Sequence, residues 1–141
     1  MLKICKLTKQ SKKFGLVRLI RSEVFVQEQG VSLSDEYDQH EELSIHYLMT
    51  YNDKAIACAR SRKTDLGLKL ERFAVLKEFR GQGYGKQLVK WVLADLKSNG
   101  KPIYLHSQLQ VEKFYSNLNF EKVGNQFEEA GILHFKMIFR S

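Results

Sequence analysis

The run Arg80-Gly81-Gln82-Gly83-Tyr84-Gly85-Lys86 has the residue types of a pyrophosphate cradle. Phosphate oxygens need several backbone N–H groups aimed at one point. The first turn of a helix supplies them, with about half a positive charge from its dipole. Glycines let the backbone approach a ligand closely and take unusual torsions. Arg80, Lys86 and nearby Lys77 add positive charge. Two other cradles fit worse. Gly81-x-Gly83-x-Gly85 is not the G-x-G-x-x-G of dinucleotide folds, and Lys86 is followed by Gln87, with no glycine where a G-x-x-x-x-G-K-[ST] loop needs one.

Elsewhere the reactive residue types lack pattern. His40, His46, His106 and His134 show no HExxH-like spacing, and Cys5 and Cys58 form no metal or redox motif, so no metal site is expected. Both cysteines read as buried small apolar side chains in a reducing compartment.

A cradle needs a strand before it and a helix after it, and both are legible. Residues 68–76 (LKLERFAVL) read as a strand in which Leu68, Leu70, Arg72, Ala74 and Leu76 alternate with Lys69, Glu71, Phe73 and Val75. Strict alternation puts Glu71 on the face of Phe73 and Val75. Residues 83–97 switch to helical period, with Leu88, Val89, Val92, Leu93 and Leu96 as the stripe and Asn99-Gly100 as the stop. Residues 1–7 read as a first strand. Phe14, Val17, Ile20 and Val24 then mark a helix over about 9–27, and 30–42 reads as an acidic loop. Residues 44–51 and 54–62 form a hairpin turned at Asn52-Asp53. Strands at 103–106, 120–123 and 132–139, and a short helix carrying Val111, Phe114, Tyr115 and Leu118, complete the order β-α-β-β-β-α-β-α-β-β. That order predicts an α/β (mixed α+β) fold whose central mixed sheet is flanked by helices.

The 141 residues fit one domain, 1–141, with 43% hydrophobic and 28% charged residues and no linker or repeat. The net charge of +7 is spread along the chain, without a basic tract or a recognition helix, so neither nucleic acid nor a membrane surface is expected as partner. The first residues lack the apolar core of a signal peptide and no apolar run approaches a membrane span, so a cytoplasmic protein is expected.

Arg80-x-x-Gly83-x-Gly85 matches the [Q/R]-x-x-G-x-[G/A] motif of the GNAT superfamily of N-acetyltransferases. Glu71-Arg72-Phe73-Ala74-Val75 resembles that family's preceding strand, and Phe114-Tyr115-x-x-Leu118-x-Phe120 its last helix and the strand entry after it. Val24-Phe25-Val26-Gln27-Glu28-Gln29 and Phe127-x-Glu129-Ala130-Gly131-Ile132-x-His134 resemble a bacterial, YjcF- or ElaA-like subgroup. The resemblance covers nearly the whole chain. It implies the acyl-CoA N-acyltransferase fold, with a mostly antiparallel sheet of about six to seven strands. It also implies transfer of acetyl from acetyl-CoA to a primary amine of a small molecule or peptide, by direct attack on the thioester and without a metal. Relatives are often dimers, so a homodimer is compatible.

By position, the resemblance has Phe73 and Val75 pair their backbone with the pantetheine arm. Arg80, Gly81, Gln82, Gly83, Tyr84, Gly85 and Lys86 would hold the pyrophosphate, and Gln108 stands near where relatives place a cofactor-touching Asn. Tyr115 is the expected acid for the departing thiolate and Glu71 the expected base. His106 and His134 are further base candidates, His40 and His46 weaker ones. The acidic segment 35–42 reads as a solvated loop; the alternative is that it draws a cationic amine to the cleft, so that Glu41→Lys with Glu42→Lys raises KM. The competing function is a non-catalytic module that binds CoA or docks a partner.

Overall fold

Seven strands form one sheet in the order β1-β2-β3-β4-β5-β7-β6. The computed structural model describes residues 1–140, and the backbone alone at 34 and 35. The strands are β1 (Leu2–Leu7), β2 (Ile45–Tyr51), β3 (Lys54–Thr64), β4 (Gly67–Val75), β5 (Ile103–Gln108), β6 (Phe120–Glu129) and β7 (Ile132–Phe139). The helices are α1 (Phe14–Arg21), the short α2 (Leu33–Glu36), α3 (Tyr84–Leu96) and α4 (Glu112–Ser116). Neighbouring strands are antiparallel except β4 and β5, which run parallel. The mixed sheet expected from the sequence is therefore present. The β2–β3 turn uses positive φ at Asn52 (48°) and Asp53 (69°), which suits their tolerance of the left-handed region.

Two elements differ from their sequence readings. The helix expected over 9–27 begins at Phe14 and widens after Arg21 into π-helical turns over Ser22–Glu28. The apolar period continues through the widening to Val24, which packs with Val17 and Ile20. Strand β6 runs six residues beyond Val123, to Glu129, past Gly124 (φ 77°) and a register shift. As a largely exposed edge strand it carries no apolar alternation to announce it.

The sheet separates two apolar layers. On one face Leu70, Leu88, Val92, Leu105 and Met137 pack under α3; on the other Phe14, Val17, Ile20, Leu48, Cys58 and Ala74 pack under α1. Each Phe, Val, Leu, Ile or Met among them contributes roughly 1.5–3 kcal/mol of transfer free energy. Leu70 and Ala74 lie an even number of residues apart, yet they face opposite layers. The cause is a bulge: Cys58 pairs with Ala74 and Arg60 with Glu71, so β4 spends three residues where β3 spends two, and Arg72 takes φ 56°. This corrects the strict alternation of 68–76. Phe73 and Val75 join the α3 layer, whereas Glu71 turns to the α1 side with Arg60.

The sheet opens beside the bulge. β4 and β5 are paired only at Leu68↔Ile103, Lys69↔Tyr104 and Leu70↔Leu105. Beyond these rungs both strands continue, β4 to Val75 and β5 to Gln108, without pairing to each other.

Beneath α1 and α2 lies a buried charge network. Arg21 is 0%, Arg60 1%, Glu36 2% and Glu41 5% exposed. Arg21 donates to Glu36 at 2.6 Å and to Glu41 at 2.7 Å; Arg60 donates to Glu41 at 2.5 Å, Asp38 at 2.9 Å and Glu71 at 2.9 Å. Arg72 reaches Glu36 at 3.1 Å and Asp38 at 3.3 Å. This corrects both readings of segment 35–42. Glu36, Asp38 and Glu41 are structural counterions, neither a solvated loop nor a lure for an amine. Of the other acids in that segment, Glu42 is exposed beside Lys9, and the side chain of Asp35 lies outside the described residues.

His46 packs against Phe14 of α1, its Nε2 3.2 Å from the Glu41 carbonyl and its Nδ1 without a hydrogen-bond partner among the described residues. Burial, aided by Arg21 and Arg60, outweighs Glu41 and holds its pKa below the ordinary 6.5. As pH falls through 6.5, the unfolded chain therefore takes up a proton that the folded chain refuses, and stability drops. Glu36, which burial holds above the ordinary carboxylate range against Arg72 and Arg21, works in the opposite sense. The clean observable is a difference: between pH 7 and 5.5 the wild type should lose more stability than His46→Gln, as read by denaturant titration. Parallel losses in the two proteins would remove His46 as the source.

Candidate active site

The separated ends of β4 and β5 form the floor of a cleft of about 660 Å³. On its α3 side, Gly81 (φ 76°) and Gly83 (φ 87°) take left-handed torsions, and a Cβ at either would meet nothing within 4 Å. Torsion rather than space dictates glycine there, and the open space leaves room for a ligand. Gly83 caps α3 with no side-chain hydrogen bond, so the first N–H groups of a 13-residue helix have no side-chain cap among the described residues. Arg80 fixes the loop, its Nε donating to the Val75 carbonyl at 2.8 Å and its Nη2 to Glu28 at 2.9 Å. The first turn of α3 lies against Val75 and Phe114; a Cβ at Gly85 would stand 3.5 Å and 3.7 Å from them, ordinary packing distances. Tyr84 packs between Tyr51 and Phe79, and Lys86 lines the cleft. Gln82 turns back to the Glu78 carbonyl at 3.3 Å and is absent from the lining.

Phe73 and Val75 line the cleft from β4. Facing them is Tyr115 of α4, its ring against Phe73 at 6.2 Å, Phe114 at 5.0 Å and Phe120 at 5.8 Å. No group among the described residues hydrogen-bonds its hydroxyl, and burial holds the phenol well above its ordinary pKa, so it keeps its proton at neutral pH. Gln108, at the end of β5, accepts from Gln110 at 2.6 Å and reaches Gln29 across the cleft at 3.5 Å.

The α1 side of the cleft holds its carboxylates and histidines. Glu71 meets Arg60, Arg62 at 3.1 Å and Lys69 at 3.1 Å. Burial alone would raise its pKa, but Arg60, Arg62 and Lys69 outweigh it and hold the carboxyl far below its usual range. A carboxylate so neutralised is a weak proton acceptor. His106, Glu129 and His134 line the same side, with His106 Nδ1 3.0 Å from Glu129 Oε1. His46 is buried elsewhere, and His40 is not among the lining residues.

Thus one cleft gathers Glu71, Phe73, Val75, Arg80, Gly81, Gly83, Tyr84, Gly85, Lys86, Gln108 and Tyr115. The sequence reading missed Glu129 and Lys69. Glu129 lies in the polar part of β6 and reaches the site because the Ala130-Gly131 turn (φ 52° and 77°) brings it back opposite Ile132. The turn dipeptide was the available signal for that hairpin.

A family model described as an acetyltransferase (GNAT) domain matches residues 8–141. YjcF of Bacillus subtilis, described as an uncharacterized N-acetyltransferase, is 33% identical over 121 residues, spanning 84% of this chain and 86% of YjcF. Protein ElaA of Escherichia coli is 33% identical over 133 residues, spanning 90% of this chain and 86% of ElaA. The crystal structure of ElaA superposes with a TM-score of 0.86 over 98% of this chain and 99% of that one, at 29% identity. A GNAT family acetyltransferase from Elizabethkingia anophelis, solved with acetyl-CoA bound, shares the fold with a TM-score of 0.65 at 19% identity, over 97% of this chain and 94% of that one.

Proposed function

Because the chain belongs to the GNAT acetyltransferase family, we propose that it moves an acetyl group from acetyl-CoA to a primary amine by direct attack on the thioester. The observation that carries this is the open start of α3, with its left-handed Gly81 and Gly83, feeding the cleft that also holds Tyr115. The acetyl-CoA bound to the Elizabethkingia neighbour supports the choice of donor. The pyrophosphate rests on the N–H groups of 81–86, with Lys86 adding charge and Arg80 holding the loop. The pantetheine arm runs along the free edge of β4 at Phe73 and Val75, and Gln108 flanks it. Tyr115 protonates the leaving thiolate. Glu71, tied to three cations, serves as a fixed negative charge rather than as the proton acceptor.

Isothermal titration with CoA tests the donor, and turnover against a panel of primary amines separates an enzyme from a CoA-binding module. Gly83→Val places a β-branched residue in a left-handed torsion that strains L-residues by about 1–2 kcal/mol and blocks the phosphate approach. It is expected to weaken CoA binding by about tenfold or more. Wild-type protein that shows no heat with CoA rules the donor out.

A further inference from the structure

The acceptor must lose a proton before it attacks, since an alkylammonium has a pKa of about 10.4 and no lone pair to attack with. We propose that His106, held by Glu129, is the base that takes the acceptor's proton on the α1 side of the split sheet, a role that rests on the acetyl-transfer reading above.

Position comes first. Leu105 is the last β5 residue paired with β4 and belongs to the α3 layer, so His106 is the first residue past the vertex and points to the opposite face. The cradle and Tyr115 line the cleft from the α3 side, so donor and base approach the vertex from opposite faces. Orientation comes second. His106 Nδ1 stands 3.0 Å from Glu129 Oε1, and an anion there selects the tautomer that donates from Nδ1. Nε2 then carries the lone pair and has no protein partner among the described residues. Edge contact with Phe127 at 4.9 Å and the tilted ring of Tyr104 at 6.0 Å fix the imidazole plane, while its side chain keeps 22% exposure toward the cleft.

The neighbours do not compete for the role. His134 donates from Nδ1 to the Ile132 carbonyl at 2.8 Å, stacks on Phe127, and leaves its Nε2 3.8 Å from Glu129, beyond a hydrogen bond. Glu129 therefore serves His106. The hydrogen bond from His106, stronger than the opposing burial and helped by Lys69, keeps the Glu129 carboxyl below its ordinary range and so ionised. The charged or titratable groups facing His106 are Lys69 and Glu71 from β4, Tyr104 from β5, Glu129 from β6, and His134 and Lys136 from β7.

His106 Nε2 takes one proton from R–NH3⁺ and later releases it to water. The amine lone pair forms the C–N bond to the thioester carbon, and collapse of the tetrahedral adduct breaks C–S. The thiolate takes the Tyr115 proton, and the phenol is restored by the second proton leaving nitrogen. One amide, one thiol and one free proton result.

The test uses His106→Gln and Glu129→Gln with acetyl-CoA and a panel of alkylamines and diamines. Both variants should bind CoA within about twofold of wild type. His106→Gln should lower kcat/KM by about 10²–10⁴-fold and remove the acid limb of its pH profile. Glu129→Gln, which acts through His106, should reduce kcat with little change in KM. Nitrogen NMR of the CoA-bound wild type should find His106 protonated at Nδ1, with that preference lost in Glu129→Gln. This readout needs no acceptor. An Nε2–H tautomer in the wild type, or an acid limb that survives His106→Gln with CoA binding intact, overturns the role of His106. Absent CoA binding in the wild type instead overturns the donor assignment.

Discussion

Tyr115→Phe should lower kcat by about 10²–10⁴-fold while CoA affinity stays within about twofold. The substitution removes one oxygen and keeps the ring that Phe73, Phe114 and Phe120 hold in place. Because no protein group hydrogen-bonds the hydroxyl among the described residues, its loss strands no buried partner, and the melting temperature should barely move. The phenol is held protonated by burial, so it has a proton to give when the thiolate departs. Steady-state kinetics, CoA titration and a thermal melt on one preparation decide the matter. An unchanged kcat would assign Tyr115 to packing alone.

Glu41→Gln should cost about 3–5 kcal/mol of folding stability, a large share of the roughly 5–15 kcal/mol a domain possesses. Glu41 is the carboxylate shared by Arg21 and Arg60, and neutralising it leaves two guanidinium groups, each at most 1% exposed, with part of their charge unanswered. Glu41→Lys puts a further cation beside Arg21 and Arg60 and should not give folded protein. Glu42→Lys, at an exposed site beside Lys9, should stay within about 0.5 kcal/mol of wild type. Denaturant titration of the three variants checks this. Equal stability of Glu41→Gln and Glu42→Lys would dissolve the claim that the network holds α1 and α2 to the sheet.

The strands, the main helix and the cradle were legible because each follows from local pattern. The runs on either side of Asn52-Asp53 mark β2 and β3, period 3.6 marks α3, and the glycines that adopt left-handed torsions at 81 and 83 are visible as glycines. What was hidden depends on partners remote in sequence. Nothing local in Leu-Glu-Arg-Phe-Ala announces that Arg72 will bulge, since an arginine at φ 56° is disfavoured on its own. The register with β3 forces it, and with it the turn of Glu71 away from Phe73. The acidic segment reads as a surface loop because carboxylates are mostly exposed. Its counterions Arg21 and Arg60 come from a helix and a strand 15 to 22 residues away in the chain. The His106–Glu129 pair is hidden for the same reason, being made by a cross-strand register that spans 23 residues.

A sheet that parts after three rungs has an evolutionary consequence. On the assignment proposed here, donor and acceptor occupy opposite compartments and meet only at the vertex. Side chains around the acceptor chamber can then be exchanged over generations without disturbing the nucleotide end, whose grip is largely main chain and therefore indifferent to most substitutions. Such an architecture lets a lineage keep its currency while changing its clientele.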